Sequence, residues 1–313
     1  MNPGNYSGSP GSFRPPAPVN LVCSPIAQDM SGRLNPLCRG IGVDGCPGGW
    51  AAVVVETGRD AINQAAASAR PANGPTETVT AAIYPNITSL WAALRPDPAQ
   101  DLVLIDMPIG LPEGEHGIRN RVSDRHCDRD CRKLLPKSRK SSVFPVPARQ
   151  ALHADDPSSA NAAAAGRKLS CQSLNLLPKI RELDDFVAAW LASEFSEEAD
   201  HPCMLPLIES HPEVAFMRLN GGEAPTHGKK TIEGLGERLG ILERAGMGRT
   251  DLEHMMKLFP RKQAARDDLL DAAALALTAQ RILSKHSPAR YVTGGERRQF
   301  DYNGRLEMNI VYI

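Results

Sequence analysis

Aspartates stand at three points of this chain where apolar residues would hold a carboxylate beside buried structure. Asp44 follows Ile41-Gly-Val43, Asp106 follows Leu102-Val-Leu-Ile105, and Asp267, Asp268 and Asp271 share the stretch Asp267-Asp-Leu-Leu-Asp271. An ionised carboxylate beside a buried strand is costly unless a cation offsets it. Hard ions such as Mg2+ and Mn2+ take oxygen ligands, and two of them about 4 Å apart activate a water and stabilise a leaving oxygen in phosphodiester cleavage. The expected metal ligands are therefore Asp44, Asp106, Asp268 and Asp271, and Glu209 joins them as a further catalytic carboxylate. On a helix, Asp268 and Asp271 are three apart and Asp267 and Asp271 four apart, so either pair shares a face. Plainer roles compete: Asp44 would cap a turn, and a helix dipole favours acids in its first turn. Glu209 and Glu213, in Glu209-Ser-His-Pro-Glu213, also suit a solvated loop.

These acids need elements to position them. Residues 1–38 are rich in Pro, Gly, Ser and Asn and lack apolar periodicity, which predicts a disordered tail ahead of a single domain over 39–313. Ile41–Val43 and Trp50–Val55 flank the turn Cys46-Pro-Gly-Gly49 and predict a hairpin, so Asp44 projects where a strand meets a tight turn. An Ala/Gly/Asn-rich loop (57–75) leads to a third strand over Glu77–Tyr84 and a helix over Ile87–Leu94. Leu102–Ile105 reads as a strand buried on both faces, which Pro108 and Pro112 prevent from continuing. Helical patterns follow over Asn120–Leu135 and over Ala162–Phe195 around Pro178. Next come a short strand from Met204 to Ile208, a helix near Thr231–Ala245 and an apolar-striped helix over Asp267–Leu283. Met308–Ile313 closes as a late strand. The class is α/β, a mixed sheet flanked by helices with a large helical insertion around 113–200.

Composition narrows the functions. At 313 residues, 42% hydrophobic and 23% charged, the chain can bury a sizeable core. Lys plus Arg equal Asp plus Glu at 36 each, so no global field draws in a polyanion and any nucleic acid must be held locally. Seven scattered cysteines lack the spacing of a secreted disulfide scaffold and suit a reducing cytoplasm. No run of about 18 apolar residues and no basic-then-apolar leader occurs, so neither membrane insertion nor secretion is expected.

The motifs together resemble a known family, the uncharacterised predicted RNase H-like nucleases (domain of unknown function 429). The resemblance runs from about Arg39 to Ser284. It rests on Gly42-Val-Asp-Gly-Cys-Pro-Gly-Gly-Trp50, Ile105-Asp-Met-Pro-Ile-Gly-Leu-Pro112, Ser141-Ser-Val-Phe-Pro145 with Pro147 and Arg149, and Leu169-Ser-Cys-Gln172. Glu209-Ser-His-Pro-Glu213, Lys229-Lys-Thr231 and Asp267-Asp-Leu-Leu-Asp-Ala272 complete it. It implies an RNase H-like fold, whose topology has the element order read above, with metal at Asp44, Asp106 and the late helix. Holliday-junction resolvases look similar in using two helical acids three apart.

Between Arg119 and Lys140 stand six Arg and three Lys against three Asp, a local excess of six positive charges. Phosphate contact is one reading and a solvated helical face the other. Arg139, Lys140, Ser141 and Ser142 pair cations with hydroxyls, as phosphate binding asks, and Lys229 and Lys230 precede a helix in the same way. These six are the candidate substrate-binding residues, with nucleic acid as the expected partner. Aromatic residues are only 5%, which favours backbone-directed binding over base stacking. His126, Cys127 and Cys131 lack a second Cys/His pair to complete a zinc site. His211 suits a proton shuttle or a turn before Pro212. Two other classes compete with hydrolysis: an actin-like or sugar-kinase-type phosphotransferase or nucleotide hydrolase, which needs two such domains, and a non-catalytic nucleic-acid-binding module.

Overall fold

Pro47 and Gly48 interrupt a run of residues that otherwise favour extended backbone, and a hairpin results. In the computed structural model of the chain, which describes residues 38–57, 77–113, 124–194, 205–302 and 305–313, strands β1 (Cys38–Cys46) and β2 (Gly49–Thr57) pair antiparallel. Gly49 has φ 127°, and a Cβ there would stand 2.0 Å from the Tyr84 carbonyl oxygen, so only glycine serves at this corner. Strand β3 (Glu77–Tyr84) lies antiparallel to β2, while β4 (Asp101–Ile105) runs parallel to β1 and β5 (Leu207–Glu209) parallel to β4. The order is β3-β2-β1-β4-β5. This mixed sheet flanked by helices is the α/β class expected from the sequence.

Eight α-helices occur among the described residues: α1 (Ile87–Leu94), α2 (His126–Leu134), α3 (Pro157–Ala165), α4 (Cys171–Glu194), α5 (Pro212–Leu219), α6 (Ile232–Arg244), α7 (Arg249–Leu258) and α8 (Arg266–Leu283). Strand alternation sorts the core into two layers. Ala51, Val53, Val55, Leu102 and Leu104 face α5 to α8. Ile41, Val43, Trp50, Val103 and Ile105 face α1 and α4. Helix α8 is buried over most of its circumference, so it lies in the core rather than on it. Two small ribbons, β6 (Arg290–Tyr291) with β9 (Val311–Tyr312) and β7 (Gln299–Asp301) with β8 (Leu306–Met308), close the chain, and Val311 bridges to Ser210 just beyond β5. No helix among the described residues is long and apolar enough to cross a membrane.

Several boundaries move. The expected tail and most of the 57–75 loop lie outside the described residues, yet Cys38 already belongs to β1. The described part of the Asn120–Leu135 helix begins at His126. Pro178 sits inside α4, and the break between α3 and α4 falls at Gly166 to Ser170. The expected late strand is divided at Asn309, whose side chain bonds Thr293 and the Ile310 N–H. Helices α5 and α7 were not among the expected elements.

Candidate metal centre

Two glycines bring the acidic helix against the acidic strand. Cβ atoms at Gly40 and Gly42 would stand 2.3 Å and 1.9 Å from the carbonyl oxygens of Ala276 and Ala272, so α8 lies directly on the β1 backbone. Advancing two residues along β1, about 6.6 Å, retreats four along α8, about 6 Å. The next step sets Asp44 opposite the turn that ends at Ala272, which contains Asp271. On the neighbouring strand, Val43 is in register with Ile105, and the Asp106 N–H donates to the Val43 carbonyl at 2.9 Å. Asp106 therefore stands beside Asp44 on the face it shares with Leu104. One carboxylate oxygen from each of Asp44, Asp106 and Asp271 lies within 4.8 Å of the other two. Ligand oxygens about 2.1 to 2.5 Å from a cation stand up to about 4 to 5 Å apart, so this trio fits one hard ion.

The electrostatics point the same way. Asp44 is 7% exposed and Asp271 2%. No hydrogen-bond donor or cationic side chain among the described residues is bonded to the Asp44 or Asp106 carboxylate. Burial, reinforced by Asp106, holds Asp44 well above the usual carboxylate range. Burial also pushes Asp106 up to about 7, against the opposing pull of Lys229, and raises Asp271 in the same way. The Lys229 Nζ donates to Asp271 at 2.6 Å and lies 3.9 Å from Asp267. Burial would lower this ammonium, but Asp271, Asp44 and Asp106 outweigh it and keep the lysine protonated. One ammonium among three carboxylates leaves the centre short of positive charge.

The cleft over the trio encloses about 620 Å3 and is walled by α4, by residues 138–146, by the β5–α5 junction and by the start of α8. Most of its other acids are hydrogen-bonded among the described residues, although Glu213 Oε2 is not. Asp268, expected as a ligand, instead accepts the Ala265 N–H at 2.9 Å and caps α8; burial, opposed by that bond, sets it at about 6. Glu209, expected among the catalytic carboxylates, follows Leu207 and so takes the sheet face away from α8. There its two oxygens receive Arg125 at 2.6 and 2.7 Å and the Ile109 N–H at 2.8 Å. Arg125 also pairs with Asp128 and is itself 1% exposed.

The basic segment divides. Arg125 is structural, Arg132 donates to the Val143 carbonyl, and Arg139 lines the cleft, donating to the carbonyls of Pro225 and His227 with its Nε 3.8 Å from Glu213 Oε2. Lys140 and Ser141 are exposed and Ser142 half-buried, with Ser142 Oγ donating to the Arg139 carbonyl at 2.7 Å. Lys230 is exposed at the rim, while Lys229 belongs to the acidic centre. Residues 114–123, with the first part of the charge run, lie outside the described residues.

Three groups were not assigned these positions from sequence. His211 is buried, with Nε2 3.4 Å from Ser142 Oγ and Nδ1 without a partner; burial lowers its pKa and keeps it neutral. Glu213 lies in the first turn of α5, where fully buried Arg238 donates to it at 2.5 Å. Its neighbour Pro212 occupies the opening position of that helix, a start signal legible in the sequence. Cys127 and Cys131 are fully buried in an apolar cluster with Val143 and Val214, and burial raises both thiols.

A family model described as "Protein of unknown function (DUF429)" matches residues 42–294, a span that begins at Gly42 and takes in all three carboxylates. No curated protein and no solved structure matches the chain.

Proposed function

The chain belongs to the family described as a protein of unknown function (DUF429), and from that premise we propose that it is a divalent-metal-dependent hydrolase of RNase H-like fold that cleaves phosphodiester bonds of nucleic acid. The observation that carries this reading is the convergence of Asp44, Asp106 and Asp271, with no hydrogen bond to the Asp44 or Asp106 carboxylate among the described residues. A buried acid without a donor, as Asp44 is among the described residues, is rare because it costs several kcal/mol, of order 1–3 even for an ordinary polar group. A cation is the simplest source of the missing charge.

Mg2+ or Mn2+ suits an all-oxygen donor set, and such an ion supplies Lewis acidity toward a phosphoryl oxygen and its attacking water. The remaining walls suit a phosphate chain. Ser141 and Lys230 present a hydroxyl and an ammonium at the rim, and neutral His211 offers a free nitrogen to a proton in the cleft. Exposed Lys137 and Lys140 lie in the segment beside that wall. The strand order and the placement of acids within β1 two residues before its end, just past β4 and on α8 support the RNase H-like reading. A cytoplasmic location accords with the five described cysteines, all unpaired.

Thermal denaturation with and without Mg2+ or Mn2+, followed by incubation with labelled single-stranded, duplex and branched DNA and RNA, tests the proposal. Metal-dependent stabilisation and cleavage in the parent, both lost in Asp44→Asn, are expected. A parent protein that neither gains stability from either metal nor cleaves any of these polymers would overturn the assignment.

A further inference from the structure

Phosphodiester hydrolysis on carboxylate centres is commonly pictured with two ions, and the sequence alone invites that picture. The partners of the acids in this cleft point elsewhere. Asp268 is held by the Ala265 N–H, Glu209 by Arg125 and the Ile109 N–H, Glu213 by Arg238, and Asp128 by Arg125. Lys229 stands between the carboxylates of Asp271 and Asp267, 2.6 and 3.9 Å from them. Asp267 and Asp271, four apart on one turn of α8, are the pair of helical acids a second ion would bridge, and the ammonium already stands there. Among the described residues no hydrogen bond reaches the carboxylate of Asp44, 7% exposed, or of Asp106 beside it; Glu213 Oε2 also lacks one, but it lies 3.8 Å from Arg139 Nε.

We propose that the centre takes a single divalent cation on Asp44, Asp106 and Asp271, with the Lys229 ammonium occupying the place of a second ion. Lys229 thereby acts as a fixed counter-cation, present without any metal and held by the fold of the loop before α6, where Thr231 caps the helix by accepting the Gly234 N–H. This inference rests on the metal-centre reading above and refines it.

Mn2+ titration of the full chain by calorimetry, with the electron paramagnetic resonance spectrum of the loaded protein, decides the number of ions. The parent is expected to bind one Mn2+ per chain and to give the spectrum of an isolated ion. Lys229→Met, which keeps the stem and removes the charge, should bind a second, spin-coupled Mn2+ or bind the first about tenfold more tightly. Lys229→Arg should keep a single ion. Two ions in the parent, or a Lys229→Met variant with the parent's stoichiometry and affinity, would overturn the inference while leaving the metal centre standing. No Mn2+ in either protein would remove the centre itself. Should Lys229→Met fail to fold by circular dichroism, the ion count of the parent and of Lys229→Arg still decides.

Discussion

Replacing Asp106 by Asn should make the metal-free protein more stable, and increasingly so as pH rises. The side chain lacks a donor, and burial sets its carboxyl at about 7 against an ordinary 3.8. Between those values the folded chain keeps a proton that the unfolded chain has lost. Stability is therefore fullest below about pH 4 and falls as pH rises through about 7. At about 1.4 kcal/mol for each tenfold, that difference corresponds to about 4 kcal/mol. Asp106 is only partly buried, and solvent screening reduces the expected effect to about 2 kcal/mol. Asparagine carries no charge to desolvate, so its advantage should grow from about pH 4 to about pH 7 and then level off. Removing that charge also relieves Asp44, for which Asp106 is the strongest neighbouring repulsion. Urea unfolding in the presence of a chelator, at several pH values across that range, measures this directly. An Asp106→Asn variant no more stable than the parent at pH 8, with an unchanged pH profile, would refute the claim that burial raises this carboxyl beyond what Lys229 offsets.

Gly42→Ala should drive α8 from β1, since its Cβ would meet the Ala272 carbonyl at 1.9 Å; a loss of about 1–3 kcal/mol and a diminished metal-induced rise in Tm are expected from thermal melts. Arg125→Met strands the carboxylates of Glu209 and Asp128 in a buried site, which should cost about 3–5 kcal/mol in urea unfolding. Adding Glu209→Gln to that variant should recover part of the loss, because one stranded charge is removed. Lys140→Ala with Lys230→Ala should weaken polynucleotide binding and lower the slope of log affinity against log salt by about one for each phosphate that is no longer neutralised, with stability unchanged. Binding that keeps the parent's salt slope would remove this rim from the substrate path.

The strands and α8 were legible because apolar runs and helical periodicity record burial directly. Asp44 and Asp106 were legible for the same reason: each ends a run that has to be buried. Partnership was harder to read. Glu209 sits two residues after Leu207, and the alternation of β5 assigns it to the face opposite Asp44 once the strand's pairing is known. Nothing in the local sequence gives that pairing or identifies Arg125, which is 84 residues away. Asp268 and Asp271 look equivalent by spacing, and only the contact of α8 with Gly40 and Gly42 decides which one turns toward β1. Lys229 resembled a phosphate-binding residue because its loop has no periodicity to record that it points inward. Helix α5 carried its signal in Pro212 and Glu213, whereas α7 is short and only two of its residues, Leu252 and Met255, are buried.

Crystals soaked in Mn2+ and measured at an anomalous wavelength test the central claim most directly. One anomalous peak within bonding distance of the carboxylates of Asp44, Asp106 and Asp271 is the expected result. No peak there, or peaks confined to other acids such as Glu209 or Asp268, would contradict the account.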